Sequence, residues 1–199
     1  MTTLILVRHA QSAPSPDLEE AAFPLSERGR EQALALAPVL AELGVDALGS
    51  SPYQRAIDTL QPYAEQAGLQ IAVDHDLRER KLGPWLEDPE AVHDVMRRMH
   101  ADPDFAPPGG ETSRGAVARF EAALGRLIAT NPGRTLAVGS HGGIISHFLA
   151  PRGPDLPPEF WRRIRNPHVF IFEIADDYRW TGERTLLNDG LRWLNPAGS

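Results

Sequence analysis

Short apolar runs alternate with longer segments of helical periodicity, and this alternation constrains the fold more than any other feature of the chain. The first run, Leu4–Val7, is partly β-branched and too short for a helix, which predicts a buried strand. Further strands are predicted at Val45–Leu48, Leu69–Val73, Thr135–Val138, Val169–Ile174 and about Thr185–Trp193. Strands that alternate with helices favour an α/β fold, a three-layer α/β/α sandwich whose central sheet is mostly parallel and has helices on both faces.

The helices between these strands are marked by residues that favour helix ends. They are predicted over about residues 27–43, 52–67, 91–100, 113–130 and 142–149. Ser26 is expected to cap the first, and Pro52 to occupy the first position of the second, where a missing N–H costs nothing. Thr112 or Ser113 is expected to cap the fourth, and Gly44 and Gly68 are expected to end the first two.

Residues 84–110 differ in composition from the rest of the chain. They contain five prolines, several acids and one short helical stretch around Ala91–His100. Such a segment is expected to be a small lid insertion over one face of the sheet rather than a separate domain. The 199 residues are therefore predicted to form a single domain.

Charge and cysteine content exclude several classes of function. With 20 basic and 27 acidic residues, the formal net charge is −7, which argues against a nucleic-acid or anionic-membrane partner. The absence of cysteine excludes disulfides, thiolate-held zinc, iron–sulfur clusters and a cysteine nucleophile. No segment resembles a signal peptide or a transmembrane helix, so the expected location is the cytoplasm.

Polar residues follow each of the first four predicted strands. In chain order they are Arg8 and His9, then Ser51 and Arg55, then Arg78, Glu79 and Arg80, then Ser140, His141 and Gly142. Ligands of such sheets bind beyond the carboxyl ends of the strands, so these side chains are expected to share one site. Arginine forks and helix N-termini suit a dianionic phosphate.

These residues lie in motifs that resemble the histidine phosphatase superfamily, in its phosphoglycerate-mutase-like branch. The matching segments are Leu6–Ser12, Leu25–Ala33, Ser50–Thr59, Leu77–Trp85, Pro108–Thr112 and Gly139–Ile145. They occur in the family's order and spacing, and the similarity spans residues 4 to about 175. The first segment contains Arg8-His9-Ala10 in place of the family's R-H-G motif.

The resemblance implies a role for each residue. His9 would be the nucleophile and form a phosphohistidine, with its other ring nitrogen donating to a backbone carbonyl. Arg8, Arg55 and His141 would hold the non-bridging oxygens, and Glu79 would be the general acid and then the base. Gly142 and Ser15 are additional predicted substrate-binding residues, Ser15 standing where many members have a phosphate-contacting asparagine.

The chain departs from the family pattern in three places. Ala10 replaces the usual glycine, Ser15 has a shorter reach than asparagine, and Pro84-Trp85-Leu86-Glu87 replaces an acidic-Trp-Glu-Gly run. The last change predicts a remodelled lid entry. The longer insertions associated with glycolytic mutases are missing, which favours a phosphatase.

The resulting hypothesis is a metal-independent phosphatase that hydrolyses small phosphomonoesters, with no cofactor and no partner beyond its substrate. His75, His93, His147 and His168 show no metal-ligand spacing. Three alternatives stay open: a mutase-type phosphotransferase, a catalytically weak phosphate-binding regulatory module, and a serine hydrolase. The last is disfavoured because Gly139-Ser140-His141-Gly142 lacks a glycine two residues before the serine. The oligomeric state is not predicted.

Overall fold

A computed structural model of the protein describes residues 1–83, 88–152, 156, 160–175, 177–186 and 193–194. Its strands are β1 (Thr2–Arg8), β2 (Ala47–Ser50), β3 (Ile71–Val73), β4 (Thr135–Ser140), β5 (His168–Ile174), β6 (Tyr178–Leu186) and β7 (Trp193–Leu194). Its α-helices are α1 (Glu27–Glu42), α2 (Gln54–Ala67), α3 (Pro89–Ala101), α4 (Ser113–Thr130) and α5 (Gly142–Leu149). Short 3-10 helices lie at Glu20–Ala22, His75–Leu77 and Phe160–Arg163.

The strands form one sheet in the order β3-β2-β4-β1-β5-β6-β7. The four strands from β3 to β1 are parallel, as the alternation of strand and helix predicts. Beyond β1 the sheet continues with antiparallel pairs, β1 with β5, β5 with β6 and β6 with β7. The three-layer α/β sandwich is confirmed, and its sheet is mixed.

In the described part of the chain, two large apolar clusters form the core, one on each face of the sheet, and Ala10, Leu25 and Ala33 form a third, small one. Leu4 and Leu6 of β1 pack on one face, in a cluster with side chains of α4 and α5. Ile5 and Val7 pack on the other face, with side chains of α1 and α2. Burial on both faces explains why this strand is continuously apolar rather than alternating. Each fully buried aliphatic side chain contributes about 1.5–3 kcal/mol.

The structure confirms predicted helix ends at Ser26, Thr112 and Gly68 and contradicts the predicted start at Pro52. The Ser26 and Thr112 hydroxyls each accept the backbone N–H three residues on, and Gly68 ends α2 at φ +66°. Pro52 was predicted to be the first residue of its helix, and this is wrong, because α2 begins at Gln54. The Ser51 hydroxyl accepts the N–H of Tyr53 at 3.2 Å, and this turn precedes the helix.

The lid and the last strands differ from the sequence-based expectation in their extent. Helix α3 begins at Pro89, and the Asp88 side chain caps it by accepting the Glu90 N–H. Pro84-Trp85-Leu86-Glu87 lies outside the described residues. The last strand was predicted at about Thr185–Trp193, whereas β6 already begins at Tyr178, and residues 187–192 lie outside the described part of the chain.

Within the ranges that the structure describes, no helix combines the length and the apolar character needed to cross a membrane.

Candidate active site

The carboxyl ends of β1, β2 and β4 meet at one edge of the sheet. Arg8 pairs with Ser140 across β1 and β4, and His9 continues this pairing by donating its N–H to the Ser140 carbonyl at 3.0 Å. The His9 and His141 rings are 5.3 Å apart between centroids. The topology therefore brings residues that are far apart in sequence into one cluster.

His9 is buried, and hydrogen bonds on both sides fix its ring. Its Nδ1 donates to the Ala10 carbonyl at 2.7 Å, and its Nε2 faces Arg55 Nε at 3.2 Å. Because the guanidinium can only donate, Nε2 is the unprotonated nitrogen. Burial, with help from the Arg55 charge, lowers the pKa of His9 to about 3. The ring is therefore neutral across the physiological range.

Arg55 lies in the first turn of α2 and is only 5% exposed. Its Nη1 donates to the Glu20 carbonyl at 2.7 Å, and its Nη2 pairs with the Glu20 carboxylate at 2.9 Å. The guanidinium also lies 4.8 Å from the centre of the Tyr53 ring. Every nitrogen of this guanidinium therefore has a partner, and its plane is fixed beside His9.

Thr59 ties α2 to the end of β1. Its hydroxyl accepts the N–H of Ala10 at 2.8 Å and donates to the Arg55 carbonyl at 2.6 Å. Sequence reasoning assigned Thr59 no role. Its position four residues after Arg55, on the same face of the helix, was the available signal.

Arg8 has one fixed contact and one open position. Its Nη1 donates to the Ile164 carbonyl, while its buried Nε has no hydrogen-bond partner among the described residues. Burial lowers the pKa of the Arg8 guanidinium, and the charge of Glu79 opposes this. Gly142 makes room for the guanidinium, since a Cβ there would stand 2.9 Å from its carbon.

His141 is fully buried at the N-terminus of α5. Its Nε2 lies 2.7 Å from the Ser51 hydroxyl, and its Nδ1 has no partner in the described part of the chain. Burial holds the pKa of His141 well below its ordinary value, and the nearby His9 and Arg55 add to this effect. A neutral ring that receives the Ser51 hydroxyl at Nε2 carries its proton on Nδ1, which is then the open donor.

Glu79 faces the same helix terminus from the loop that follows the 3-10 helix His75–Leu77. One carboxylate oxygen accepts the N–H of Gly143 at 2.8 Å, and the other accepts those of Ile144 at 2.7 Å and Arg80 at 2.8 Å. Gly143 permits this approach, because a Cβ there would stand 2.7 Å from a carboxylate oxygen. A carboxylate at a helix N-terminus is held by the unpaired N–H groups of the first turn.

A cavity of about 530 Å³ opens above this cluster. We call its charged part the floor, which consists of Arg8, His9, Glu79, Arg80, Gly142 and Gly143. We call its more apolar part the roof, which consists of Leu82, Val92, His93, Met96, Trp161, Arg162 and Ile164. Arg55 and His141 are not among the lining residues, but Arg55 donates to the His9 ring and the His141 ring lies 5.3 Å from it. The cavity therefore combines a cationic base with a largely apolar cover.

One predicted residue stays outside this group. The Ser15 hydroxyl accepts the N–H of Asp17 at 3.3 Å in the loop after β1, and Ser15 does not line the cavity. Conversely, Ser51 and Arg80 contribute to the site although sequence reasoning gave them no individual role. Over the ranges described, no group of three or more His, Asp or Glu side chains could hold a metal ion.

Comparison with known proteins defines the family. The profile of the histidine phosphatase superfamily (branch 1) matches residues 4–185. The chain therefore belongs to this superfamily, which confirms the resemblance seen in the sequence motifs.

Individual relatives include proteins of Mycobacterium tuberculosis. Its glucosyl-3-phosphoglycerate phosphatase is 32% identical over 163 residues, covering 74% of this chain and 73% of that protein. A bifunctional protein of the same species is 35% identical over 157 residues, covering 74% of this chain and 43% of that protein. The chain thus spans less than half the length of this second relative.

A solved structure agrees with these matches. The mycobacterial glucosyl-3-phosphoglycerate phosphatase in complex with inorganic phosphate superposes with a TM-score of 0.72 at 29% identity, covering 90% of this chain and 94% of that one.

Proposed function

We propose that the chain is a phosphatase that hydrolyses small phosphomonoesters through a phosphohistidine on His9. The observation that carries this proposal is the fixed orientation and tautomer of the His9 ring. Its Nδ1 is committed to the Ala10 carbonyl, so the lone pair of Nε2 points into a cluster of cationic side chains. A neutral imidazole fixed in this tautomer is a competent nucleophile at neutral pH.

In the proposed first step, His9 Nε2 attacks phosphorus and the ester P–O bond breaks. Arg8, Arg55 and the Nδ1 proton of His141 bind the non-bridging oxygens, whose charge must be stabilised without a metal. Glu79 gives a proton to the leaving alcohol oxygen. The monoanionic form of the phosphate ester supplies this proton to the Glu79 carboxylate when it binds.

In the second step, water attacks the phosphohistidine and the P–N bond breaks. Glu79, left as a carboxylate by the first step, now accepts the proton of the water. Inorganic phosphate leaves, and His9 returns to its neutral form. The cycle needs no redox cofactor and consumes one water for each ester.

The name of the mycobacterial relative supports a phosphorylated small molecule as the substrate, because that protein is a glucosyl-3-phosphoglycerate phosphatase. For this chain we propose only that the substrate is a phosphomonoester. The proposal includes a single domain without a nucleic-acid or membrane partner, located in the cytoplasm. Gly142 belongs to the proposed binding site through its contact with Arg8, whereas Ser15 has no part in it.

The proposal is tested by turnover of p-nitrophenyl phosphate and a panel of phosphorylated metabolites, with a chelator present. Wild-type protein should release phosphate, and His9→Ala should lose about 10⁴-fold or more of the activity, as expected for loss of a nucleophile. His75→Ala, at an exposed histidine, is the matched control and should retain activity.

Three results would redirect the proposal. Phosphate binding without turnover would favour the regulatory module. Transfer to an added alcohol that exceeds release to water would favour the phosphotransferase. Turnover that survives in His9→Ala would show that His9 is not the nucleophile.

A further inference from the structure

Arg80 is an unusually placed cation in the floor of the cavity. It is only 2% exposed, and its neighbour in sequence is Glu79. Its Nη1 donates to the Met99 sulfur and its Nη2 to the Met96 sulfur, while its Nε has no hydrogen-bond partner among the described residues. The guanidinium thus has two thioethers as its acceptors.

This arrangement is costly for a buried charge. Thioether sulfur is a weak acceptor, and a buried cation is normally paired with a carboxylate. Glu79 and Glu111 favour the cation by their charge, but neither carboxylate forms an ion pair with it within the described ranges. Glu79 instead directs its oxygens at backbone N–H groups, and Glu111 pairs with Arg119.

The position of Arg80 relative to the reacting atoms is fixed by Gly143. A Cβ on Gly143 would stand 2.7 Å from a Glu79 carboxylate oxygen and 3.0 Å from Arg80 Nε. Both groups therefore lie against the same backbone atom. Because Glu79 is the proposed proton donor to the leaving oxygen, Arg80 lies beside the group that faces the departing alcohol.

We propose that Arg80 binds a second anionic group, carried by the alcohol half of the substrate a few bonds from the ester oxygen. This inference rests on the proposed function and narrows its substrate class to phosphomonoesters that also bear a carboxylate or a second phosphate. An oxyanion would supply the strong acceptors that the guanidinium lacks, and Arg presents them with a planar fork.

The two methionines make this exchange physically accessible. Met96 comes from α3 and lines the cavity together with Arg80. A methionine side chain has three rotatable bonds and adapts to different surroundings. Its sulfur loses little when a donor leaves it, because no strong acceptor is left unpaired. An anion can therefore replace the Met96 sulfur as the acceptor of Arg80 Nη2 without leaving another strong acceptor unpaired.

The test measures binding of unreactive phosphonates to the full-length protein by calorimetry. Phosphonopropionate and propylphosphonate have the same chain length and differ in one terminal carboxylate. The wild type should bind phosphonopropionate about tenfold more tightly or better, the usual size of a hydrogen bond to a charged group. A third ligand, propane bisphosphonate, shows whether the subsite prefers carboxylate or phosphate. Tighter binding of either ligand with a second anionic group than of propylphosphonate supports the second-anion site.

The variant Arg80→Met should reduce this preference toward unity. Arg80→Lys keeps the charge without the fork and should give an intermediate preference. The matched control is Arg97→Met on α3, whose side chain is half exposed and paired with Asp94, and it should keep the wild-type preference. If Arg80→Met does not fold, Arg80→Lys carries the comparison.

Two outcomes would overturn the inference. One is a wild type that binds the two phosphonates equally well. The other is a set of Arg80 variants that weaken both ligands by the same factor, which would mean that Arg80 supports the fold of the floor. Because phosphonates are not hydrolysed, a failure of turnover with p-nitrophenyl phosphate would remove the proposed function and leave this binding result intact.

Discussion

Arg55 and Arg80 are both buried beside the cavity, yet their guanidinium groups have opposite surroundings. Arg55 contacts His9 and both the carbonyl and the carboxylate of Glu20, so protein groups fix its orientation. Arg80 contacts two methionine sulfurs and keeps one N–H group without a partner in the described part of the chain. The first guanidinium is held by strong acceptors, and the second has only weak ones.

This difference extends to the two regions around these residues. The phosphate side, formed by Arg8, His9, Arg55 and His141, is fixed by strand ends, backbone carbonyls and a helix start. The lid side, formed by Arg80 and the roof, depends on side chains of α3 and of residues 160–164. We infer that the phosphate side fixes the chemistry, whereas the lid side selects the alcohol. Variants on each side of the cavity test this division.

The largest effect is expected on the phosphate side. Arg55→Gln removes a charged donor at the developing phosphoryl charge and should lower kcat/KM about 10²–10³-fold. Arg98→Gln, at an exposed arginine of α3 that packs on Phe105, should change kcat/KM by no more than about twofold. Steady-state kinetics with p-nitrophenyl phosphate measure both. Comparable losses in the two variants would contradict the division of the site.

The second prediction concerns the loop that carries Glu79. Arg119 donates to the carbonyls of Asp76, Arg78 and Glu79 and pairs with Glu111, so it acts as a positioning residue. Its replacement by methionine should lower kcat about tenfold to a hundredfold with little change in KM, because a misplaced proton donor affects the chemical step.

Arg126→Met on the same helix is the matched control for Arg119→Met. Within the described ranges, Arg126 pairs with the side chains of Asp74 and Asp76, and it is half exposed. It should keep the wild-type kcat. A rise in KM without loss of kcat in Arg119→Met would show that Arg119 has no part in placing Glu79.

The third prediction compares buried histidines at different pH values. Near Arg80, the rings of His100 and His147 stack with their centroids 3.9 Å apart. Burial lowers their pKa values to about 4 and about 2. The unfolded chain binds these protons below about pH 6.5, and the folded chain does not until much lower pH. The free energy of unfolding should therefore fall with pH below 6.5, by about 1.4 kcal/mol per pH unit for each such histidine.

Denaturant unfolding between pH 6.5 and 4.5 checks this linkage. His147→Gln should lower the slope by about one proton, whereas His75→Gln, at an exposed position, should keep the wild-type slope. A free energy of unfolding that stays constant over this interval would contradict the burial of neutral histidines in the fold.

The smallest effect is expected at Ser51, which sets the tautomer of His141 through a 2.7 Å hydrogen bond. Ser51→Ala should lower kcat/KM about fivefold to tenfold, the size of one neutral hydrogen bond. Ser15→Ala in the same assay compares the two serines directly. The structure predicts the larger loss for Ser51, and a larger loss for Ser15 would restore the role that the sequence suggested for it.

The same division separates what the sequence could predict from what it could not. Arg8 is the last residue of β1, and His9 and His141 directly follow β1 and β4, so the periodicity of the strands and the rule for parallel sheets bring the three together. Arg80 was equally visible in the sequence, but its surroundings depend on where α3 packs. Nothing local in the sequence states that Met96 and Met99 will cover it.

Two smaller differences have similar causes. The Ile164 carbonyl that receives Arg8 is a backbone group, which every residue has, so no residue type signals it. The turn before α2 was misjudged because Pro52 fits the first helical position by its own preference, whereas the Ser51 hydroxyl stabilises a turn there. A hydrogen bond between neighbouring residues can thus override the conformational preference of a single residue.

The central claim is that His9 carries the phosphoryl group during turnover. It is tested most directly by mixing the protein with substrate, quenching in alkali within one turnover, and mapping the phosphorylated peptide by mass spectrometry. One phosphoryl group is expected on His9, at Nε2, which forms before phosphate is released and then decays. Turnover without a phosphopeptide, or with the phosphoryl group on another residue such as Ser51, would contradict it.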